Sequence, residues 1–252
     1  MTECDIMDHI KSMTKEKSDY HLAEEIACAV THAIGGYLGA AAVVLFIMFA
    51  IWSDSQVPWK VVAGSIFGAS IIILYSVSTL YHAVTNHRFK DACRAYDQMA
   101  VYVLIAGSYT PFCLVTLRES NPGLAWTTFG LIWGTALVGI LVEAIAQRQL
   151  KYFTTITYLA MGWFALVLII PLSYVLEFGG LVWLVLGGVF YSLGVVFFLW
   201  RSLPYNHAIW HVFVLAGTIS HVLGILLYVI MCCGNENFIS TIPNGIHCCD
   251  RT

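Results

Sequence analysis

Charge is scarce in this chain. Asp, Glu, Lys and Arg together make up 11% of its 252 residues, against roughly 25% in an ordinary soluble domain. Hydrophobic residues reach 59% and the mean hydropathy is +0.78, which excludes a soluble globular fold. No basic cluster is present and the net charge is −3, which argues against a nucleic-acid partner. The N-terminus lacks the basic start and short apolar core of a cleavable signal; it reads TKEKSDYHLAEE instead, polar and mixed in charge. Short segments of alternating hydrophobicity are also missing, which argues against a β-barrel.

What remains is a series of long apolar runs. A membrane-crossing helix needs about 20 mostly apolar residues. Seven runs qualify: 28–52, 59–84, 95–117, 123–146, 152–176, 178–200 and 206–232. Short punctuating segments such as WSDSQVPW, TNHRFKDACR and WRSLPYN separate them. The expected fold is all-α, an integral membrane bundle of seven transmembrane helices. Residues 1–22 form a short solvated head, 23–232 the membrane domain and 233–252 a cysteine-rich tail.

Lys and Arg set the expected orientation. Nine of them (Lys11, Lys15, Lys17, Arg88, Lys90, Arg94, Arg148, Lys151 and Arg201) share the side of the N-terminus. Three (Lys60, Arg118 and Arg251) fall opposite. Basic residues accumulate in cytoplasmic loops, so the N-terminus is expected inside and the C-terminus outside.

The chemistry concentrates in NHAIWHVFVLAGTISH, residues 206–221. His207 and His211 are four apart, so on a helix they share a face about 6 Å apart along the axis. Such a pair can give a zinc ion two imidazole ligands from one rigid element. Two further features gain weight from alternation of direction. The end of the second span (Ser78, His82), the start of the third (Asp97) and the start of the seventh (His207, His211) fall at one depth, near the N-terminal side. Three imidazoles beside a carboxylate match a catalytic zinc site with an open water position. Each residue also has a plainer reading. His82 can be an interfacial histidine beside Tyr81, and Asp97 can stabilise a helix N-terminus or pair with Arg94. His221 lies about 15 Å deeper than His211, and is expected in the core or in a substrate cavity.

The other polar residues read as structural. Glu24, Glu25, His32, Gly35 and Gly36 open the first span; an interfacial cap with a snorkelling His32 is the favoured reading over a cavity-lining one. Glu143 is expected at the interface, and Gly107 with Pro111 at a kink. Pro171, Gly187, Gly188 and Gly194 suggest packing, and the fifth and sixth spans offer no chemistry beyond it. Cys4, Cys28 and Cys93 fall inside or at the inner face and Cys113 in a span. Cys232, Cys233, Cys248 and Cys249 have no zinc-knuckle spacing; in an oxidising exterior they are placed to tie the tail to the seventh span by disulfides.

STLYH (78–82), the Asp97 segment with GSYTPF (107–112), and NHAIWHVFVLAG (206–217) resemble the hemolysin III family. This is the bacterial branch of the progestin and adipoQ receptor superfamily, which is distantly similar to alkaline ceramidases. The likeness covers about residues 22–230 in order and spacing. It implies a seven-helix bundle with zinc near the cytoplasmic face and His82, His207 and His211 as ligands. It places Asp97 beside the metal-bound water and Ser78 one turn before the first ligand. Gln98 stands where many bacterial members are expected to carry a histidine, and the head is short, unlike that of the hormone receptors.

The resulting expectation is a zinc hydrolase of a ceramide-like lipid amide in a cell membrane, the bacterial inner membrane being favoured. Membrane lipids are its expected partners. The alternatives are a receptor or sensor with structural zinc, and a cytolysin or pore-forming protein. A structural zinc would need a fourth ligand, for which only Asp97 suggests itself.

Overall fold

The computed structural model describes residues 3–53, 55–146 and 151–231. Seven helices are long and apolar enough to cross a membrane: His21–Trp52, Val57–Ala83, Arg88–Ser120, Pro122–Ile145, Phe153–Ser173, Phe178–Leu199 and Asn206–Ile230. These are the first to seventh spans below. The described residues contain no strand. With the apolar runs, this makes the chain a multi-pass membrane protein. The first helix is longer than its apolar part and runs unbroken from Glu3 to Trp52, so the polar head is helical from Glu3. The cysteines at 232, 233, 248 and 249 lie outside the described residues.

Each span contacts its sequence neighbours, and the first closes the ring on the seventh. The third span is the most enclosed, with 78% of its apolar stretch buried, against 17% for the fifth and 11% for the sixth. The spans with chemistry therefore pack tightly together, while the fifth and sixth form an outer wall. Side chains such as Ile145 and Phe178 stand 85% and 80% exposed on the outer surface. In hydrocarbon such exposure carries no penalty, because lipid tails are as apolar as the side chains.

With no water to drive helices together, close packing and interhelical hydrogen bonds must do so. Tyr75 of the second span donates to Thr218 Oγ1 of the seventh at 2.9 Å, and Tyr191 of the sixth meets the same oxygen at 3.0 Å. Thr218 itself donates to the Val214 carbonyl. One hydroxyl thus joins three spans. Trp133 donates to Thr110 at 3.1 Å and Trp163 to Ser192 at 2.9 Å.

Two irregularities shape the interior. The third span widens into a π-helical turn over Phe112–Leu117, directly after Pro111. Proline cannot donate into the ladder, so the disturbance expected there takes this form. The fifth span breaks at Phe164, between the helices Lys151–Trp163 and Ala165–Ser173. Tyr109 of the third span donates to the Met161 and Gly162 carbonyls at 2.8 Å each. A side chain thereby serves backbone groups that the break would otherwise strand in an apolar setting. Glu143, expected at the interface, is instead buried and accepts a hydrogen bond from Thr154 at 3.1 Å.

Gly35 shows how closely the first two spans approach. A Cβ there would overlap the ring of Tyr75, whereas Gly130 faces open space. Overpacking costs about 1–3 kcal/mol. Gly35→Val should lower the melting temperature in detergent by several degrees and Gly130→Val should leave it nearly unchanged, measured side by side by thermal unfolding.

Candidate metal centre

Three helices each present a pair of residues four apart at the face where the first span begins. These are Cys28 and His32 on the first span, Ser78 and His82 on the second, and His207 and His211 on the seventh. The helical repeat stacks each pair on one face. The first span contacts the second and the seventh, so the three faces meet inside the bundle. The ligand atoms of Cys28, His82, His207 and His211 all lie within 4.8 Å of one another.

The chain path explains the aim of the seventh span. Tyr205 adopts a left-handed conformation with φ of 55° immediately before that helix. Asn206 donates to the Phe197 and Phe198 carbonyls at 3.3 and 3.2 Å, holding the turn against the end of the sixth span. His207 follows at the first turn and His211 one turn deeper, fully buried.

The ring nitrogens are poised for a cation. His82 Nδ1 lies 2.9 Å from Glu25 Oε2, and the same carboxylate oxygen holds Lys90 Nζ at 2.8 Å. The opposite nitrogen, His82 Nε2, is buried without a hydrogen-bond partner. A carboxylate that fixes one imidazole nitrogen while the other stays free is the usual support of a metal-binding histidine. His211 Nε2 and His207 Nε2 are 3.2 Å apart. Zinc bonds of about 2.0–2.3 Å at tetrahedral angles separate ligands by about 3.3–3.7 Å. The seventh-span pair is within about 0.1 Å of this spacing, and a separation at the cluster's 4.8 Å limit needs a contraction of about 1 Å. The residues therefore fit a metal ion.

His32 overturns its expected role. It is 1% exposed and does not snorkel to the interface. Its ring stacks on His211 at 3.6 Å and meets the edge of Tyr75 at 4.9 Å. Neither of its ring nitrogens has a hydrogen-bond partner. Glu25, partly exposed at the start of the span, also holds His82 Nδ1. Cys28 was read only as a thiol near the inner face; it is 1% exposed and belongs to the cluster. The group that could hold a metal ion thus brings this thiol, rather than the Asp97 carboxylate, together with the three histidines. The four-residue spacing of Cys28 to His32 repeats the seventh-span pattern and was the available signal.

Asp97 lies beside the donor group. Its carboxyl is buried and interacts with Ser78, His82 and Arg94. The Ser78 hydroxyl is wholly buried and faces Asp97 without completing a hydrogen bond of full geometry.

Two cavities meet at this carboxylate. A vestibule of about 340 Å³ is lined by Glu25, Cys28, His82, Arg94, Asp97 and His207, among others. A second cavity, of about 130 Å³, runs among the third, fifth, sixth and seventh spans; its walls include Leu104, Phe112, Leu168, Leu184 and Gly188. Asp97, Val101, Tyr158, Val195 and Trp210 line both. The fifth and sixth spans carry more than packing, since they wall the apolar cavity. Gly187 and Gly194 do pack, against His221 and against Trp210 and Phe213, whereas Gly188 faces the cavity. His221 is a core histidine as expected, approaching the Leu184 carbonyl of the sixth span at 3.2 Å through Nε2, and it also lines the apolar cavity.

Comparison with known proteins agrees with this architecture. A family model described as Haemolysin-III related matches residues 20–222. The chain is 40% identical over 209 residues to the Hemolysin-3 homolog of Bacillus subtilis (strain 168), covering 83% of this chain and 96% of that protein. It is 41% identical over 207 residues to Hemolysin-3 of Bacillus cereus, covering 82% and 92%. The human Monocyte to macrophage differentiation factor is 33% identical over 176 residues, covering 68% and 71%. Cys28, His82, His207 and His211 all fall within the matched region, and the chain belongs to the Haemolysin-III related family.

Proposed function

We propose that the protein is a zinc-dependent hydrolase of a lipid amide, with the donor cluster facing the cytoplasm and the acyl chain of the substrate in the apolar cavity. The observation that carries this reading is the junction at Asp97. A polar vestibule holding the metal-binding side chains and a cavity walled by hydrocarbon share five lining residues there. A molecule with a polar linkage and a long apolar tail suits both chambers at once. Ceramide-like lipids have that form.

The borderline-soft donor set of imidazoles and a thiol suits zinc better than magnesium or calcium, which prefer oxygen. Zinc in this position supplies Lewis acidity toward a carbonyl and toward water. The chain's own groups do the rest. Glu25 holds the His82 ring, and through Lys90 is itself fixed. Asp97 takes a proton from the attacking water and passes it to the leaving nitrogen. Water adds across the C–N bond, giving a fatty acid and a free amine. Ser78 orients the Asp97 carboxyl from one turn before His82. Trp210, Val101 and Val195 close the junction around the substrate and limit water there.

A pore is disfavoured by the same cavity. Its described walls are mainly apolar, without the repeated polar lining of a conducting path. Release of fatty acid and amine within a bilayer also gives a chemical sense to the name carried by the Bacillus cereus relative. The excess of Lys and Arg on the N-terminal side supports the inward-facing site, and the two Bacillus relatives support a bacterial cell membrane.

Metal analysis of protein purified in detergent without chelator should find about one zinc per chain, and His82→Ala, His207→Ala and His211→Ala should each lose it. Zinc-free, well-folded wild-type protein would remove the reading. Asp97→Ala should keep the metal yet lose about 10²–10⁴-fold in amide turnover, as expected for a missing general base. Gly188→Leu should fill part of the apolar cavity, where no neighbour lies within 3.9 Å of a Cβ. Turnover of long-chain substrates should fall about tenfold or more while short-chain ones are spared, read from kcat/KM across a chain-length series.

A further inference from the structure

Three imidazoles suffice to hold a catalytic zinc, and such sites keep the fourth position open for water or substrate. This cluster contains a fourth donor. Cys28 Sγ lies within 4.8 Å of the ligand nitrogens of His82, His207 and His211. The thiol is on the wall of the vestibule, 1% exposed. It is held by the same helix that stacks His32 against His211. That stacking, at 3.6 Å between ring centres, fixes the rotation of the first span and with it the direction in which Cys28 faces. The neighbouring His32 points to the flank of the cluster and is not among its four donors. Asp97 is not among them either, so the thiol alone completes the set.

We propose that Cys28 is the fourth metal ligand and that its thiolate closes the coordination sphere in the resting protein. The inference rests on the metal-site reading above and adds a latent state to it. Coordination forms a metal–sulfur bond and releases the thiol proton to the vestibule. The position becomes available when the sulfur leaves and takes a proton back. Cys28 then sets when the site admits a substrate carbonyl, while the three histidines set whether the metal is there at all.

Cobalt substitution separates the two claims. The full-length protein, loaded with Co(II) in detergent, should show the strong visible bands of four-coordinate cobalt together with a thiolate-to-cobalt band in the near ultraviolet. Cys28→Ser should retain visible cobalt bands and lose the near-ultraviolet one, whereas Cys93→Ser and Cys113→Ser should keep both. Absorption fine structure of the zinc-loaded wild type, which needs no variant, should show one sulfur at about 2.3 Å. Added azide should leave the wild-type cobalt spectrum unchanged and shift that of Cys28→Ala, where a position has opened. Visible cobalt bands without a sulfur signature in the wild type would overturn the Cys28 assignment and leave the histidine site intact. Azide shifting wild type and variant equally would overturn the closure. Failure of the wild type to bind cobalt or zinc would remove the metal reading itself, and this inference with it.

Discussion

A buried polar group in a bilayer has to find its partner inside the protein. Water is not there to help, and each unsatisfied group costs several kcal/mol. Most of this bundle obeys that constraint visibly. Thr218 gathers two tyrosine hydroxyls, Tyr109 serves two carbonyls at the break in the fifth span, and Glu25 joins His82 to Lys90. Among the described residues the departures fall partly around the donor group, while one oxygen of Glu143 and Nδ1 of His221 lie apart from it. His32, Ser78 and the outward nitrogen of His82 are buried without hydrogen-bond partners, all beside the thiol of Cys28. The concentration of such atoms around four side chains that could hold a metal ion is what sets this part of the interior apart.

The second organising element is a difference in packing across the bundle. The first and second spans approach closely enough for Gly35 to lie under the Tyr75 ring, and the third is the most enclosed of all. That tight side holds the donor atoms to a fixed geometry, as a metal site requires. The fifth and sixth spans bury much less of themselves and leave the apolar cavity between them and the third and seventh. Rigidity and room are thus assigned to opposite sides of one bundle, and Asp97 stands where they meet.

Much of this was legible in the sequence. Seven apolar runs marked seven spans, because hydrocarbon thickness fixes helix length. Alternation of direction brought His82, Asp97, His207 and His211 to one depth, and the structure gathers the three histidines with Asp97 beside them. Cys28 and His32 were misjudged because each was weighed alone. A single polar residue near a span end is commonly interfacial, and only as an i, i+4 pair do these two repeat the pattern of the seventh span. The wall-forming role of the fifth and sixth spans could not be seen, since an apolar helix beside a cavity has the same composition as one packed against a neighbour. The buried Glu143 is met by Thr154, eleven residues further along the chain, and no local pattern announces such a bond.

The loosely buried fifth and sixth spans have a consequence for supply. Their outer faces carry Ile156, Val167, Ile170 and Val196 toward lipid, while their inner faces line the cavity. Only the thickness of this wall separates the chamber from the surrounding bilayer. On the proposed reading, a lipid reaching it sideways would never cross into water and would keep its tail solvated throughout. The concentration governing occupancy would then be the mole fraction of that lipid in the leaflet, a two-dimensional quantity. Diluting the membrane with inert lipid should act on this protein as diluting the buffer acts on a soluble one.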